Sequence, residues 1–250
     1  MALAARGNLR IVCTTHALGD FLMRARNRQL FQFLHGTPDG AGVLRLPRCD
    51  FFFCIGSDID FDPAYLERIV ARNLPIVAGL YAIKEHNAPG ADPRWCFNKI
   101  RGAADGVSPD GLLEIAAGGT DFICFRRDAL ETMVKHSRVR PYVDDFPGGD
   151  TTRPHYHLFN FGVANDHAME PWESDDWRQN RLFSEDYWAC RIARDCGIKV
   201  MLETTGYCGH WDGRTRYPTN PPPQSPLPGA EAVAEQFKHA TTTPEHGGAQ

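Results

Sequence analysis

The chain has 250 residues, 42% of them hydrophobic and 23% charged, a make-up that suits one α/β domain with a tail. Its formal net charge of -4 excludes a global basic field that would recruit nucleic acid or an anionic membrane. No apolar run reaches the roughly 18 residues of a membrane helix, and Met1–Arg10 carries two arginines without an apolar signal core, so a cytoplasmic location is expected, the host cytoplasm if the source is a virus.

In chain order, Leu9–Thr14 reads as a short strand. Asp20–Leu34 reads as a helix, with Phe21, Leu22, Leu30, Phe31 and Leu34 at helical spacing. Thr37–Gly42 is a Gly/Pro/Asp-rich loop. Asp50–Ile55 is a continuous apolar run, the pattern of a strand covered on both faces. Asp62 and Pro63 open a helix that runs to about Arg72, an acidic cap followed by proline at the first position. Pro75–Tyr81 is a second buried strand, and Glu85–Asn98 is irregular. Asn98–Arg101 and Gly111–Ile115 suit a hairpin, Asp121–Phe125 a strand, and Arg127–Lys135 a helix.

Residues 136–181 have little periodicity, and a loop of that length is functional or mobile. Ser184 caps a helix over Glu185–Cys196, which Gly197 ends, and Ile198–Glu203 is the last strand. Residues 1–217 form the domain, and 218–250 read as a Pro-rich disordered tail. Strands alternating with helices predict a mostly parallel central sheet flanked by helices, with ligands at the carboxyl ends of its strands. The eight cysteines include no Cys-x-x-Cys pair, so reduced thiols are expected.

Polar clusters fall where such ligands bind. The strand at Phe51–Ile55 runs into Gly56-Ser57-Asp58-Ile59-Asp60. In an extended chain Asp58 and Asp60 point to one side, and paired carboxylates suit Mg²⁺ or Mn²⁺. Turn and capping roles explain the same two residues equally well. Glu185 and Asp186 sit in a first helical turn, where acids stabilise the helix dipole and where a base can also stand. His210 lies in Gly206-Tyr207-Cys208-Gly209-His210-Trp211, read as a glycine-rich loop after the last strand. Gly118-Gly119-Thr120-Asp121 allows close backbone approach to a ligand or simply a turn. Arg24, Arg26 and Arg28 suit phosphates or a solvated helix face.

In their order these segments resemble GT-A fold (Rossmann-like) glycosyltransferases of the GT2-like families of bacteria, phages and viruses. The pieces that carry the resemblance are Ala25-Arg26-Asn27, Ser57-Asp58-Ile59-Asp60, Gly79-Leu80-Tyr81-Ala82-Ile83-Lys84, Ala117-Gly118-Gly119-Thr120-Asp121-Phe122, Ser184-Glu185-Asp186 and His210, across residues 11–213. The resemblance implies an inverting, metal-dependent transfer of sugar from a UDP- or GDP-sugar to an acceptor hydroxyl. The acceptor is a glycan, lipid, protein or modified nucleic-acid base.

It also implies residue roles. Asp58, Asp60 and His210 hold Mn²⁺ or Mg²⁺, and Asp186, with Glu185 beside it, is the base. Arg26, Asn27, Ser57, Lys84, Gly118, Gly119, Thr120 and Asp121 surround the donor. Trp188, His157 and Phe159 shape the acceptor pocket. Two features depart from the family pattern. Gly56 stands where relatives carry the first aspartate of Asp-x-Asp, so either Asp60 compensates or the metal site is weakened; and the strand that comes first in the family is shortened. These departures leave two alternatives: a nucleotidyltransferase-like metal enzyme, or a catalytically degenerate GT-A-like module that binds a glycan or partner.

Overall fold

The computed structural model of the protein describes residues 9, 11, 21–36, 48–84, 94–100, 106–144, 151–165 and 180–217. The tail at 218–250, the loop at 37–42 and most of the strand expected at 9–14 lie outside the described residues.

The first helix, α1 (Leu22–His35), buries Ala25, Arg26, Asn27, Leu30 and Phe31 and stops at Gly36, whose φ of 82° favours glycine. The apolar run forms β1 (Phe51–Ile55), and a turn leads to the two-residue β2 (Ile59–Asp60). Helix α2 (Pro63–Ala71) starts as expected: Asp62 accepts a hydrogen bond from the Ala64 N–H at 2.9 Å, and proline occupies the first turn. Next come β3 (Ile76–Tyr81), buried at all six positions, then β4 (Phe97–Lys99), β5 (Leu112–Gly118), β6 (Phe122–Arg126) and α3 (Arg127–Met133).

The segment read as one long loop contains β7 (Pro141–Tyr142), β8 (His155–Tyr156), β9 (Gly162–Asn165) and β10 (Asn180–Phe183), paired as two antiparallel ladders. Helix α4 (Glu185–Asp195) follows. The last long strand, β11 (Val200–Trp211), continues eight residues beyond the predicted Glu203 end and pairs with β12 (Arg216–Tyr217). The expected glycine-rich loop around His210 is therefore strand.

Eight of these strands form one sheet, ordered β1-β6-β3-β11-β5-β4, with β2 and β12 on the far half of β11. The sheet is mixed and not mostly parallel: among the described pairings only β3 with β11 is parallel. The cause is an insertion. Helix α2 carries the chain from β1 to a parallel β3 but leaves one position vacant between them, and β6 fills it antiparallel to both. Hydrogen bonding to neighbours far away in sequence sets this order, and local periodicity carries no record of it.

Strand alternation divides the core into two layers. Ile76, Ala78 and Leu80 of β3, with Ile123 and Phe125 of β6, pack toward Leu30, Leu130, Ala189 and Ile192. Val77, Tyr81, Phe122 and Cys124 face Tyr65, Leu66 and Ile69 of α2. Gly79 is required on this second face, since a Cβ there would come within 2.4 Å of the Phe122 ring. The result is a central sheet with helices on both faces and the polar strand ends exposed along one rim.

Candidate functional site

Three separate chain segments meet at the rim. At the end of β1 the Gly56 N–H donates to the Asp121 carbonyl at 2.8 Å, tying the turn after β1 to the start of β6. The Ile59 N–H closes that turn on the Gly56 carbonyl at 3.2 Å, and the Trp211 N–H donates to the Asp58 carbonyl at 2.9 Å. Backbone bonds thus fix Asp58 beside both Asp121 and the end of β11, where His210 lies opposite Ile59. One ligand atom from each of Asp58, Asp121 and His210 lies within 4.8 Å of the other two.

His210 is only 9% exposed, and its Nδ1 lies 2.9 Å from the Ala82 carbonyl. A carbonyl only accepts, so Nδ1 carries the proton that bridges them, and in the neutral ring Nε2 presents a lone pair. That Nε2 faces Asp58 Oδ2 at 3.5 Å. A lone pair opposed to a carboxylate is repulsive unless a proton or a cation lies between them. The Tyr81 ring meets the His210 ring edge-on at 5.3 Å and helps set its plane.

The two carboxylates already face cations. Lys84 Nζ bonds Asp58 Oδ2, and Arg26 Nη2 lies 3.1 Å from Asp121 Oδ1. Burial raises the Asp58 carboxyl, but the Lys84 bond, a backbone bond and the neighbouring positive charge outweigh it and leave the pKa below its ordinary value. Burial likewise works against the Arg26 guanidinium, yet Cys54, Asp121 and Glu185 hold its pKa above the usual one.

Gly56 has a steric reason. A Cβ there would stand 3.0 Å from both the Asp121 Cβ and Asp58 Oδ1, so any side chain would crowd the two carboxylates. Gly119 is equally constrained, because a Cβ would overlap the Tyr81 hydroxyl at 1.7 Å and approach Cys96 Sγ at 2.8 Å. Tyr81, within the Gly79–Lys84 segment, and Cys96, which no local motif in the sequence marks, belong to this rim. Burial pushes the Cys96 thiol up to about 11, even though the Tyr81 hydrogen bond pulls it down.

Asp186 and Glu185 open α4 beside this cluster. Ser184 is the N-cap residue, but its hydroxyl donates to Asp186 Oδ1 rather than capping the helix. The Tyr187 N–H adds a bond to the same oxygen at 2.8 Å, and Asp186 Oδ2 takes no hydrogen bond from the described residues. Burial raises the Asp186 pKa, and Asp121 raises it further. Burial also raises that of Glu185, with repulsion from Asp186 adding to it, while Thr120 Oγ1 lies 3.4 Å from Glu185 Oε1.

Several assigned residues stand elsewhere. Asp60 is not part of the cluster: it binds Arg216 Nε at 3.0 Å on the exposed side of β2. The turn at Ser57-Asp58 breaks the extended geometry that would have aligned Asp58 with Asp60. Ser57 is exposed in that turn. Asn27 is 1% exposed and clamps the Phe159 backbone, donating to its carbonyl at 2.9 Å and accepting from its N–H at 3.0 Å. Phe159 is fully buried, and Trp188, 6% exposed, covers Gly162 in the core, so neither presents a wall to an acceptor. His157 packs on Tyr142 at 5.9 Å between centroids, in the β7–β8 region. Gly118 lies against β3, where a Cβ would come within 2.8 Å of the Ala78 Cβ.

No model of a known protein family matches the chain, and no curated protein matches it. Among solved structures it is similar to A197 from STIV, at 12% identity and a TM-score of 0.41 over 84% of this chain and 76% of that one. A likeness at that level says nothing about activity. Among the described residues no helix is long and apolar enough to cross a membrane.

Proposed function

We propose that the protein is a metal-dependent glycosyltransferase of the GT-A type, moving a sugar from a UDP- or GDP-sugar to an acceptor hydroxyl with inversion. The observation that carries this reading is the convergence of Asp58, Asp121 and His210 Nε2 at one rim of the sheet. Two hard oxygens and one imidazole nitrogen are a donor set that suits Mn²⁺, and Mg²⁺ with added water. The Ala82 carbonyl acts as the outer partner that fixes the ligating tautomer.

The metal supplies charge neutralisation for a leaving nucleoside diphosphate. Asp121 takes the ligand place assigned to Asp60 and provides, from the neighbouring strand, the carboxylate that Gly56 leaves out. Lys84, beside Asp58, would reach the diphosphate oxygens. Asp186 accepts the acceptor proton on Oδ2, while Ser184 and the Tyr187 N–H hold Oδ1 and fix the carboxylate plane. A raised pKa makes that carboxylate a stronger base, and correct placement contributes roughly 10²- to 10⁴-fold.

A second reading, a shell that binds without turnover, draws on one observation: Asp58 and Asp121 already each face a cation of the chain. One experiment separates the readings. The protein is incubated with Mn²⁺ and a panel of UDP- and GDP-sugars, and the released products are assayed. Free nucleoside diphosphate, lost in Asp58→Ala, is expected. Sugar 1-phosphate instead points to nucleotidyl transfer, and binding without any product points to the shell.

A further inference from the structure

Lys84 occupies a position that the proposed function does not fully explain. It extends from the chain just beyond β3, and its ammonium bonds Asp58 Oδ2, the same oxygen that lies 3.5 Å from His210 Nε2. A cation bound between Asp58 and His210 would use this oxygen. The ammonium and a divalent ion cannot both hold it closely, because like charges in a partly buried site repel strongly.

The charges around the cluster sharpen the conflict. Lys84 holds Asp58 and Arg26 holds Asp121, with the carboxyls of Glu185 and Asp186 close by. A divalent ion on Asp58 and Asp121 meets both resident cations, and one of them is expected to yield. Arg26 is confined: its side chain is 5% exposed, and Asp121, Glu185 and Cys54 surround it. Lys84 is 31% exposed and sits on a flexible four-carbon stem, so it moves at little cost.

Resting on the metal site proposed above, we infer that Lys84 is a built-in exchangeable cation, which neutralises Asp58 in the empty site and is displaced by the divalent ion to bind the phosphates that enter with it. Metal and diphosphate binding are then coupled. Metal alone must displace Lys84 without compensation and binds weakly. Nucleoside diphosphate alone meets a lysine already engaged by Asp58. Together, the ion takes Asp58 and the freed ammonium takes a phosphate oxygen, so each ligand raises the affinity for the other by the same factor.

The test is titration calorimetry of Mn²⁺ alone, and of UDP and GDP at saturating Mn²⁺, on the wild-type chain, Lys84→Met and Lys84→Gln. Circular dichroism and unfolding temperature establish that both variants fold. The expected result has opposite signs in one protein: both variants bind Mn²⁺ alone at least tenfold more tightly than wild type, and bind nucleoside diphosphate at least tenfold more weakly. Mn²⁺ affinity unchanged in both variants overturns the exchange while leaving the metal site standing. Mn²⁺ failing to bind all three proteins overturns the metal site itself, and the exchange with it.

Discussion

β11 carries two polar clusters seven residues apart, and they differ in what they leave unsatisfied. At Glu203, which is fully buried, Oε2 accepts from Arg72 Nε at 2.6 Å, while Oε1 accepts from the Thr205 N–H at 2.9 Å and from the Thr205 hydroxyl. Tyr65 caps the Glu203 carbonyl at 2.5 Å and accepts from the Leu80 N–H at 2.8 Å, binding α2, β3 and β11 together. Every strong acceptor there has a donor. At His210 one ring nitrogen is anchored to Ala82, and the other faces only the carboxylate of Asp58. Complete satisfaction marks a structural network, whereas an imidazole nitrogen that faces only a carboxylate is the feature on which the proposed metal site rests.

Breaking each cluster should give opposite signatures. The largest stability effect is expected from Arg72→Ala, which strands the buried Glu203 carboxylate. It should cost about 3 kcal/mol, or roughly 6–12 °C in unfolding temperature, with no change in metal dependence. Asp58→Asn should move stability by under about 1 kcal/mol, since its partner Lys84 is partly solvated. A large fall in melting temperature for Asp58→Asn would erase the distinction between the clusters.

Activity should show the reverse order. Asp186→Asn is expected to lower transfer roughly 10²- to 10⁴-fold with the fold intact, as measured by initial rates beside circular dichroism. A smaller change is expected from Gly56→Ala, whose new methyl presses on Asp58 and Asp121. A loss of metal affinity of about tenfold in calorimetry would match the usual effect of disturbing the support of a ligand.

The smallest effect concerns pH. The Asp186 and Glu185 pKa values are raised in the folded state, so both groups bind protons in the fold after the unfolded chain has released them. Their stabilising contribution is full below the ordinary carboxylate pKa of about 4 and is lost as pH rises through the raised values. Asp58, with its lowered pKa, works the other way: its contribution is present above that ordinary pKa and is lost as pH falls through the folded one. Denaturant melts from pH 3 to 8 should therefore show a decline with rising pH that Glu185→Gln reduces. An identical decline in that variant would remove the assignment.

Much of the fold was written locally. Asp50–Ile55 and Pro75–Tyr81 read as strands from their continuous apolar runs, though only β3 is buried at every position while β1 is an edge strand with Ile55 exposed, and Asp62-Pro63 announces α2 by cap chemistry alone. The order of the sheet was not legible, because the insertion of β6 between β1 and β3 is a long-range event. Nor was the length of β11. Gly206 and Gly209 read as loop residues, yet both lie in β11, and at Gly206 a Cβ would come within 2.7 Å of the Tyr65 ring. The short ladders β7–β8 and β9–β10 are too brief for alternation to emerge from their His- and Asn-containing sequences. In the site, the sequence singles out Asp58 and His210, and the structure brings these two together with Asp121. That Asp121 and not Asp60 stands beside Asp58 is not legible in the sequence, because the turn that separates Asp58 from Asp60 is set by backbone bonds to Asp121 and Trp211.

The central claim is that Asp58, Asp121 and His210, without Asp60, hold a divalent ion that binds a nucleoside diphosphate. Thermal unfolding with Mn²⁺ and UDP or GDP, alone and together, on wild type, Asp121→Asn and Asp60→Asn tests it most directly. One nucleotide at about 100 times its dissociation constant should add roughly 2.7 kcal/mol of stability, and only with metal present. The account predicts that this gain survives in Asp60→Asn and disappears in Asp121→Asn. The opposite pattern, or no metal-dependent gain in the wild-type chain, would contradict it.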